Sequence, residues 1–386
     1  MAKKITCCAV AVPRAEEAPR LIDRAIRQAL LARKPCYIEI PTNLAGAGCV
    51  WPGPISAVTD PVASDKGALE AAADCAAEYL RGKLKPLILV GPKLRRAGGG
   101  TEQGLVRLAE AMGCAVAVQP AAKGMFPETH PQFAGVFWGQ VSTGAADAIV
   151  HWADALLCVG TVFTDYNTVG WTALRPADVP LMAAEMDHVA FPGAHFGRVR
   201  MAEFLPLLAA RVAFNNATMV EYARLLPDPP RLYAAPAEAP LSRREVVRQV
   251  QAMLGPESTL FVDTGDSWFN GMQLRLPEGA QFEIEMQWGH IGWSVPAAFG
   301  YALRQPERRT IVMIGDGSFQ VTAQEVSQMG YALLVEAFNA GEGKAKGLKA
   351  VTAGKLEKAD DCSRELITWG HYVAAANGRP PKHGTE

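Results

Sequence analysis

The first part of the chain has the apolar pattern of a small strand-helix-strand unit. Residues 5–12 form a short run of apolar and β-branched side chains, which is typical of a buried strand. A stripe of apolar residues from Leu21 to Leu30 repeats every four positions and predicts a helix, and residues 36–40 predict a second strand that Pro41 ends. Because parallel strands need neighbours in a sheet, we expect further strands upstream of residue 1.

Two longer regions follow in which apolar strands alternate with helical patterns. The first has strand candidates at residues 87–90, 114–118, 156–159 and 181–185. The second has them at residues 260–262, 282–286 and 311–314, after a helix that a Ser242/Glu245 capping box opens. This alternation predicts an α/β fold with doubly wound parallel sheets.

Proline-rich stretches set the expected domain limits. Residues 227–241 contain five prolines, too many for a regular element, and therefore predict a linker. The predicted organisation is a first segment at 1–51, a linker at 52–75, a central α/β domain at 76–226, the proline-rich linker at 227–241 and a C-terminal domain at 242–386.

Composition narrows the classes of function. The chain has 386 residues, with 38 Lys+Arg against 39 Asp+Glu, so it lacks the basic surface expected of a nucleic-acid or membrane-surface protein. Its 8 cysteines show no metal-ligand spacing and predict reduced thiols of a cytoplasmic protein. No apolar run has the roughly 18 residues that a membrane helix needs.

Polar, glycine-containing loops follow the strands of the last region. Residues 263–267 follow one buried strand, and Gly315-Asp316-Gly317-Ser318 follows another. Between them, residues 286–297 contain a Gly-x-x-Gly segment. The carboxyl ends of parallel strands meet at one edge of a sheet, so we expect the three loops to line one crevice.

The chemistry of these loops favours a diphosphate bound through a metal ion. Glycines let backbone N–H groups approach a phosphate, and a following helix terminus favours an anion. Asp316 offers the hard oxygen that Mg²⁺ prefers. We predict that the helix after this loop starts at Thr322, with Glu325 completing a capping box.

These motifs resemble those of the thiamine-diphosphate-dependent pyruvate decarboxylase family, particularly its bacterial type. The resemblance rests on Gly-Asp-Gly-Ser-Phe-Gln at 315–320 and on Gln-Trp-Gly-His-Ile-Gly-Trp-Ser at 287–294. Segments 136–139 and 158–167 are similar to the family's central domain, and 366–377 to its C-terminal tail. The resemblance implies non-oxidative decarboxylation of a 2-oxo acid such as pyruvate to an aldehyde and CO₂, by a cytoplasmic homo-oligomer that uses thiamine diphosphate and Mg²⁺.

The resemblance also implies roles for individual residues. Asp316 is expected to bind Mg²⁺, and Gly317 and Ser318 to contact the diphosphate. Ile291 is expected to be the apolar wedge that bends the cofactor, and Gly289 to present a carbonyl to its amino group. Two further residues, Thr264 and Asp266, are expected to border the diphosphate.

The chain departs from the family pattern in three places. Residues 1–51 resemble only a remnant of the pyrimidine-binding domain, and the chain has no His-His pair. From Met329 the sequence passes to Gly330 without the family's Asn-Asn loop, and a smaller jump falls near 358–361. We therefore expect an N-terminally truncated, internally shortened chain whose last sheet lacks two strands, and we nominate no catalytic residue.

Three hypotheses remain open at this point. The first is a decarboxylase-type chain that, by itself, binds the cofactor weakly or not at all and has no turnover. The second is a non-catalytic fragment that assembles with full-length decarboxylase chains. The third is a relative of the indolepyruvate or phenylpyruvate decarboxylases, because the residues that select the substrate lie largely in the missing segments.

Overall fold

The structure is a computed structural model that describes residues 2–32, 34–173, 179–226 and 242–328, together with the backbone of 333–337. The chain divides into two compact units, an N-terminal unit at Met1–Ala63 and a main unit at Ser64–Glu386. The predictions for the 227–241 linker, the 329/330 junction, the 358–361 jump and the 366–377 tail lie outside the described residues.

The N-terminal unit is the predicted strand-helix-strand arrangement. Strands β1 and β2 pair in parallel, with Cys8 opposite Cys36, and helix α2 buries Leu21 and Ala25. Its elements are α1 (Ala2–Ile5), β1 (Cys8–Ala11), α2 (Ala18–Ala32), β2 (Cys36–Glu39) and α3 (Ser56–Thr59). The predicted first strand was too long at its start, because Ile5 ends a helical turn whose carbonyl at Ala2 accepts the N–H of Thr6.

Among the described residues, the central sheet of the main unit has seven strands, in the order β5-β4-β3-β6-β7-β8-β9. The first five are parallel, as predicted, and β8 and β9 add an antiparallel hairpin that the pattern did not predict. The strands are β3 (Pro86–Val90), β4 (Val116–Val118), β5 (Phe133–Val136), β6 (Ala155–Val159), β7 (Leu181–Ala184), β8 (His188–Phe191) and β9 (Ala194–Gly197).

Helices cover both faces of this sheet, which explains why β3 and β6 are buried along their whole length and read as unbroken apolar runs. They are α4 (Lys66–Arg81), α5 (Thr101–Met112), α6 (Ala146–Trp152), α7 (Met201–Ala209) and α8 (Ala217–Leu225). The side chain of Asp65 caps α4 by accepting the N–H of Ala68. Residues 66–75, which the sequence assigned to a linker, are therefore helical.

The C-terminal sheet is parallel, in the order β11-β10-β12-β13. Its elements are α9 (Arg243–Met253), β10 (Ser258–Val262), α10 (Asp266–Gln273), β11 (Gln281–Ile284), α11 (Ser294–Arg304), β12 (Arg309–Ile314), α12 (Asp316–Thr322) and β13 (Leu333–Ala337). Ser242 caps α9 as predicted, because its hydroxyl accepts the N–H of Glu245. The doubly wound α/β prediction is confirmed for both sheets.

Strand β13 forms the edge of the C-terminal sheet beside β12. It pairs in parallel with β12, from Thr310 opposite Leu333 to Ile314 opposite Ala337. The chain after the junction therefore supplies a strand at that edge, whose backbone groups pair as a sheet requires. That the sheet lacks two strands of the family stays a prediction.

Buried polar contacts join the central and C-terminal parts of the main unit. The ammonium of Lys123 lies 2.7 Å from Glu128 Oε1 and donates to the carbonyl oxygen of Leu274, also at 2.7 Å. The second oxygen of Glu128 accepts the N–H of Leu276 at 3.0 Å. These contacts fix the chain between α10 and β11. No helix that the structure describes has the length and apolar character to span a membrane.

Candidate functional site

A buried carboxylate joins two of the three predicted loops. Asp263 follows β10 and is 1% exposed. Its Oδ1 accepts the N–H groups of Thr264 and Gly292 at 2.9 and 3.1 Å, and its Oδ2 accepts the N–H and hydroxyl of Ser294 at 2.9 and 2.6 Å. The four donors satisfy the buried charge and hold the loop after β10 against the start of α11.

Hydroxyl groups join the same loops to the one after β12. Thr264 donates from Oγ1 to the carbonyl oxygen of His290 at 2.9 Å, and Ser318 donates from Oγ to the carbonyl oxygen of Thr264 at 3.4 Å. The hydroxyl of Thr322 donates to the carbonyl oxygen of Gly292 at 2.8 Å. The three loops therefore lie together at the carboxyl end of the sheet, as the topology predicted.

A second carboxylate shapes the loop that carries Gly289 and Ile291. Glu285 accepts the N–H groups of Gln287 and Trp288 on Oε1, both at 2.7 Å, and that of His290 on Oε2 at 3.0 Å. The turn requires glycine at 289, where φ is +64°. Trp288 and Ile291 remain 69% and 52% exposed, so their apolar surfaces are available to a ligand.

The central domain borders this loop through an aromatic residue. A Cβ at Gly289 would lie 2.6 Å from the hydroxyl of Tyr166, so the two residues are in close contact. The ring of Tyr166 packs edge-on against Trp268 in α10 at 5.4 Å, and its carbonyl oxygen accepts the indole N–H of Trp138 at 2.7 Å. Tyr166 is therefore held from both sides while it supports the Gly289 turn.

The loop after β12 is the start of a helix, which corrects the prediction that the helix begins at Thr322. Helix α12 begins at Asp316, and residues 323–328 continue as a 3₁₀-helix. Its first turn, at 316–318, leaves backbone N–H groups without partners in the helix, which suits an anion. A Cβ at Gly315 or Gly317 would meet no atom within 4 Å, so a phosphate can approach the backbone there.

The remaining predicted residues lie at the rim of these loops. Asp266 is the first residue of α10 and is exposed, and Asp316 is partly exposed in the first turn of α12. Within the described ranges no group of three or more His, Cys, Asp or Glu side chains could hold a metal ion. Mg²⁺ bound with a diphosphate commonly uses one or two carboxylates, phosphate oxygens and water, so a single aspartate is compatible with such a site.

Sequence reasoning nominated Thr264, Asp266, Gly289, Ile291, Asp316, Gly317 and Ser318, and the structure brings their loops together. It did not nominate Asp263, Glu285 or Tyr166. An aspartate directly after a fully apolar strand was the available signal for Asp263. For Glu285 the carboxylate before a glycine-rich turn was a weaker signal. Tyr166 and Gly289 belong to different domains, so no local sequence pattern indicated their contact.

Family models match both domains of the main unit. Residues 73–210 match the central domain of thiamine pyrophosphate enzymes, and residues 263–334 match their C-terminal thiamine pyrophosphate (TPP) binding domain. The second match contains all three loops of the candidate site. Thiamine diphosphate is the cofactor of these enzymes, and the open glycine backbone at 315 and 317 is compatible with its diphosphate.

Curated relatives extend the similarity to almost the whole chain. A pyruvate decarboxylase of Neurospora crassa is 64% identical over 437 aligned positions, which cover 99% of this chain and 76% of the relative. A probable pyruvate decarboxylase of Schizosaccharomyces pombe is 47% identical, with the same coverage. Pyruvate decarboxylase 3 of Arabidopsis thaliana is 39% identical over 98% of this chain and 73% of its own length.

The Neurospora alignment also confirms that the chain is internally shortened. It has 437 positions, whereas the chain has 386 residues, so at least 51 of the aligned positions have no residue in this chain. The identity is nevertheless far above the level at which folds and site architecture diverge, and it spans both domains of the main unit. The chain belongs to the pyruvate decarboxylase family of thiamine-diphosphate-dependent carboxy-lyases.

Proposed function

We propose that this chain binds thiamine diphosphate with Mg²⁺ in the crevice between the 263–267, 286–292 and 315–318 loops, for the non-oxidative decarboxylation of a 2-oxo acid. Pyruvate is the proposed substrate, and the products are an aldehyde and CO₂. The relatives at 64% and 47% identity, both described as pyruvate decarboxylases, support this reaction. When bound, the cofactor supplies the electron sink that makes loss of CO₂ feasible.

The observation that carries the proposal is the set of hydrogen bonds that joins the three loops. Asp263 and Thr264 hold the 286–292 loop, and Ser318 brings the start of α12 beside them. An arrangement of this kind fixes the cofactor-contacting backbone before a ligand arrives, so the ligand does not have to order it.

Each predicted site residue has a proposed role in this arrangement. Asp316 contributes a carboxylate oxygen to Mg²⁺, and the N–H groups of Gly317 and Ser318 donate to the diphosphate, with Thr264 and Asp266 at its border. In the remaining loop, Ile291 supports the bent cofactor with its half-exposed side chain, and Gly289 offers its carbonyl oxygen to the aminopyrimidine.

We further propose that the isolated chain binds the cofactor weakly and does not turn over a 2-oxo acid. The segment after Met329 contains no Asn-Asn pair, so Asp316 is the one protein ligand that we assign to the metal. None of the residues that the structure describes is assigned a proton-transfer role. Few protein ligands for a hard cation mean low affinity, because water then keeps most of the coordination positions.

Cofactor binding and turnover are tested separately. Isothermal titration of the purified chain with thiamine diphosphate and Mg²⁺ should give heat that disappears in Asp316→Asn and persists in Asp147→Asn, a partly exposed aspartate in the first turn of α6 that serves as the matched control. Absence of binding in the unaltered chain contradicts the proposed site. Release of acetaldehyde from pyruvate by the chain alone contradicts the proposed lack of turnover.

Three further proposals concern assembly, location and domain limits. We propose a cytoplasmic homo-oligomer, with a remnant of the pyrimidine-binding domain at 1–51, a central domain at 76–226 and a shortened diphosphate-binding domain at 242–386. Light scattering during gel filtration tests the assembly, since a monomeric mass contradicts it. Limited proteolysis tests the limits, with first cleavage expected within 227–241.

A further inference from the structure

Two cysteines of the N-terminal unit lie side by side on neighbouring strands. Cys8 begins β1 and Cys36 begins β2, and the two are direct partners in the parallel register. Neighbouring strands are about 4.7–4.9 Å apart, which is within the Cα separation of about 4.4–6.8 Å that disulfides span. Backbone spacing therefore allows a bond between these two sulfur atoms.

The direction of the side chains agrees with the spacing. Residues two apart on a strand point to the same face, so Cys8 shares a face with Val10 and Cys36 shares one with Ile38. Val10 and Ile38 are themselves partners, and Val10 is 5% exposed. The two thiols therefore stand next to each other on the face that the unit buries, and both are partly accessible to solvent.

Four other cysteines that the structure describes lie in different surroundings. Cys7 precedes β1, and its thiol donates to the carbonyl oxygen of Lys34 at 3.5 Å. Cys49 and Cys75 are exposed, in separate parts of the chain. Cys114 is buried, and burial raises the pKa of its thiol to about 12, which keeps it from reacting as a thiolate.

We propose that Cys8 and Cys36 form a reversible disulfide when the protein meets hydrogen peroxide. In the first step one thiolate attacks the peroxide, the O–O bond breaks, and the sulfur becomes a sulfenic acid, while the departing hydroxide takes up the proton that the thiol released and becomes water. In the second step the other thiol attacks the sulfenic sulfur, and its proton leaves with the sulfenic oxygen as a second water. Two thiols are oxidised to one disulfide and the peroxide is reduced.

The bond is expected to be easily reduced and to act on the N-terminal unit. A disulfide needs its Cβ atoms about 3.5–4.5 Å apart, closer than strands in parallel register place them, so closing it draws β1 and β2 together. Strained bonds of this kind are the labile ones. Within the residues that the structure describes, this sheet consists of β1 and β2, and two-stranded pairs are marginal alone, so a covalent link should tighten it measurably.

Peptide mapping of the full chain tests the proposal. After hydrogen peroxide treatment and alkylation of the remaining thiols, mass spectrometry should find one intramolecular cross-link between the Cys8 and Cys36 peptides, which dithiothreitol removes. Cys8→Ser and Cys36→Ser should each abolish it, and Cys7→Ser and Cys49→Ser should leave it unchanged. Over-oxidation of Cys8 and Cys36 to sulfinic acids, or cross-links confined to other cysteines, would overturn the proposal.

A second measurement does not depend on the variants folding. Hydrogen exchange of the unaltered chain should slow in the β1 and β2 peptides after oxidation, recover after reduction and stay constant in the main unit. Exchange that is equal in both redox states refutes the proposed effect on the unit. Neither experiment involves thiamine diphosphate, so a negative result here leaves the proposed function untouched.

Discussion

The buried pair of Lys123 and Glu128 provides the sharpest test of how the main unit is held together. Their side chains are 1% and 2% exposed, and both also bond to backbone groups of the C-terminal domain, at Leu274 and Leu276. The perturbation is the cycle Lys123→Met, Glu128→Leu and the double variant. These apolar replacements remove the charges while they keep much of the side-chain volume.

The expected costs follow from which groups each variant leaves unpaired. Either single variant leaves one buried charge without its partner, which costs about 3–5 kcal/mol of unfolding free energy. The double variant leaves no charge, but it leaves the Leu274 carbonyl and the Leu276 N–H unpaired, at about 1–3 kcal/mol each. The double variant should therefore fall about 4 kcal/mol short of the sum of the single costs.

Urea unfolding, followed by both tryptophan fluorescence and far-ultraviolet circular dichroism, measures these values. Lys93→Met is the matched control, since Lys93 pairs with Glu185 at 2.9 Å but is 39% exposed. An exposed pair of this kind is worth no more than about 1 kcal/mol. The reasoning is refuted if Lys123→Met costs no more than Lys93→Met, or if the costs in the cycle simply add.

Three further predictions concern the candidate site and pH. Asp263→Asn should lower the unfolding free energy, measured in urea, by about 2–4 kcal/mol, because an amide cannot accept hydrogen bonds from all four donors. A loss below about 1 kcal/mol contradicts this. Gly289→Ala should lower the unfolding free energy by about 1–3 kcal/mol, because alanine is strained at a φ of +64° and its Cβ would contact Tyr166. Adding Tyr166→Phe should recover part of that loss, and the absence of any recovery shows that the contact is unimportant. Burial lowers the pKa of Lys123 from its ordinary value of 10.5, although the nearby Glu128 carboxylate acts to raise it. At a pH between the lowered value and 10.5, the unfolded state therefore binds more protons than the folded state. Unaltered protein should therefore gain stability relative to Lys123→Met as pH rises through that window toward 10.5, and a constant difference contradicts the shift.

Much of the fold was predictable because its strands are buried on both faces. β3 and β6 are apolar at every position, and a short run of that kind is typical of a central parallel strand. The β8–β9 hairpin was missed, since a half-exposed antiparallel edge shows no such run. The start of α12 was placed too late because glycines at 315 and 317 indicate a loop, whereas the chain begins its helix between them, at Asp316.

The candidate site divides along similar lines. The topology of parallel strands was enough to predict that the loops after β10 and β12 meet, since both leave the same edge. The residues that lock the loops together were not predictable, because their partners are distant in sequence. Asp263 meets Gly292 and Ser294, and Tyr166 meets Gly289, only after the chain has folded. The identity of a residue suggests that it could belong to the site, but only the structure shows which residue it contacts.

These contacts imply that the shape of the site and its affinity for the cofactor are separable. The loops are joined by protein groups alone, through Asp263, Thr264 and Ser318, and none of these bonds needs a ligand. Asp316 has no part in that set, so Asp316→Asn should abolish cofactor binding and leave the unfolding free energy within about 0.5 kcal/mol of the original. Asp263→Asn should lower both. If Asp316→Asn lowered the unfolding free energy as much as Asp263→Asn, the proposed metal ligand would itself be needed to hold the loops together. The crevice could then not be preformed as the hydrogen bonds indicate.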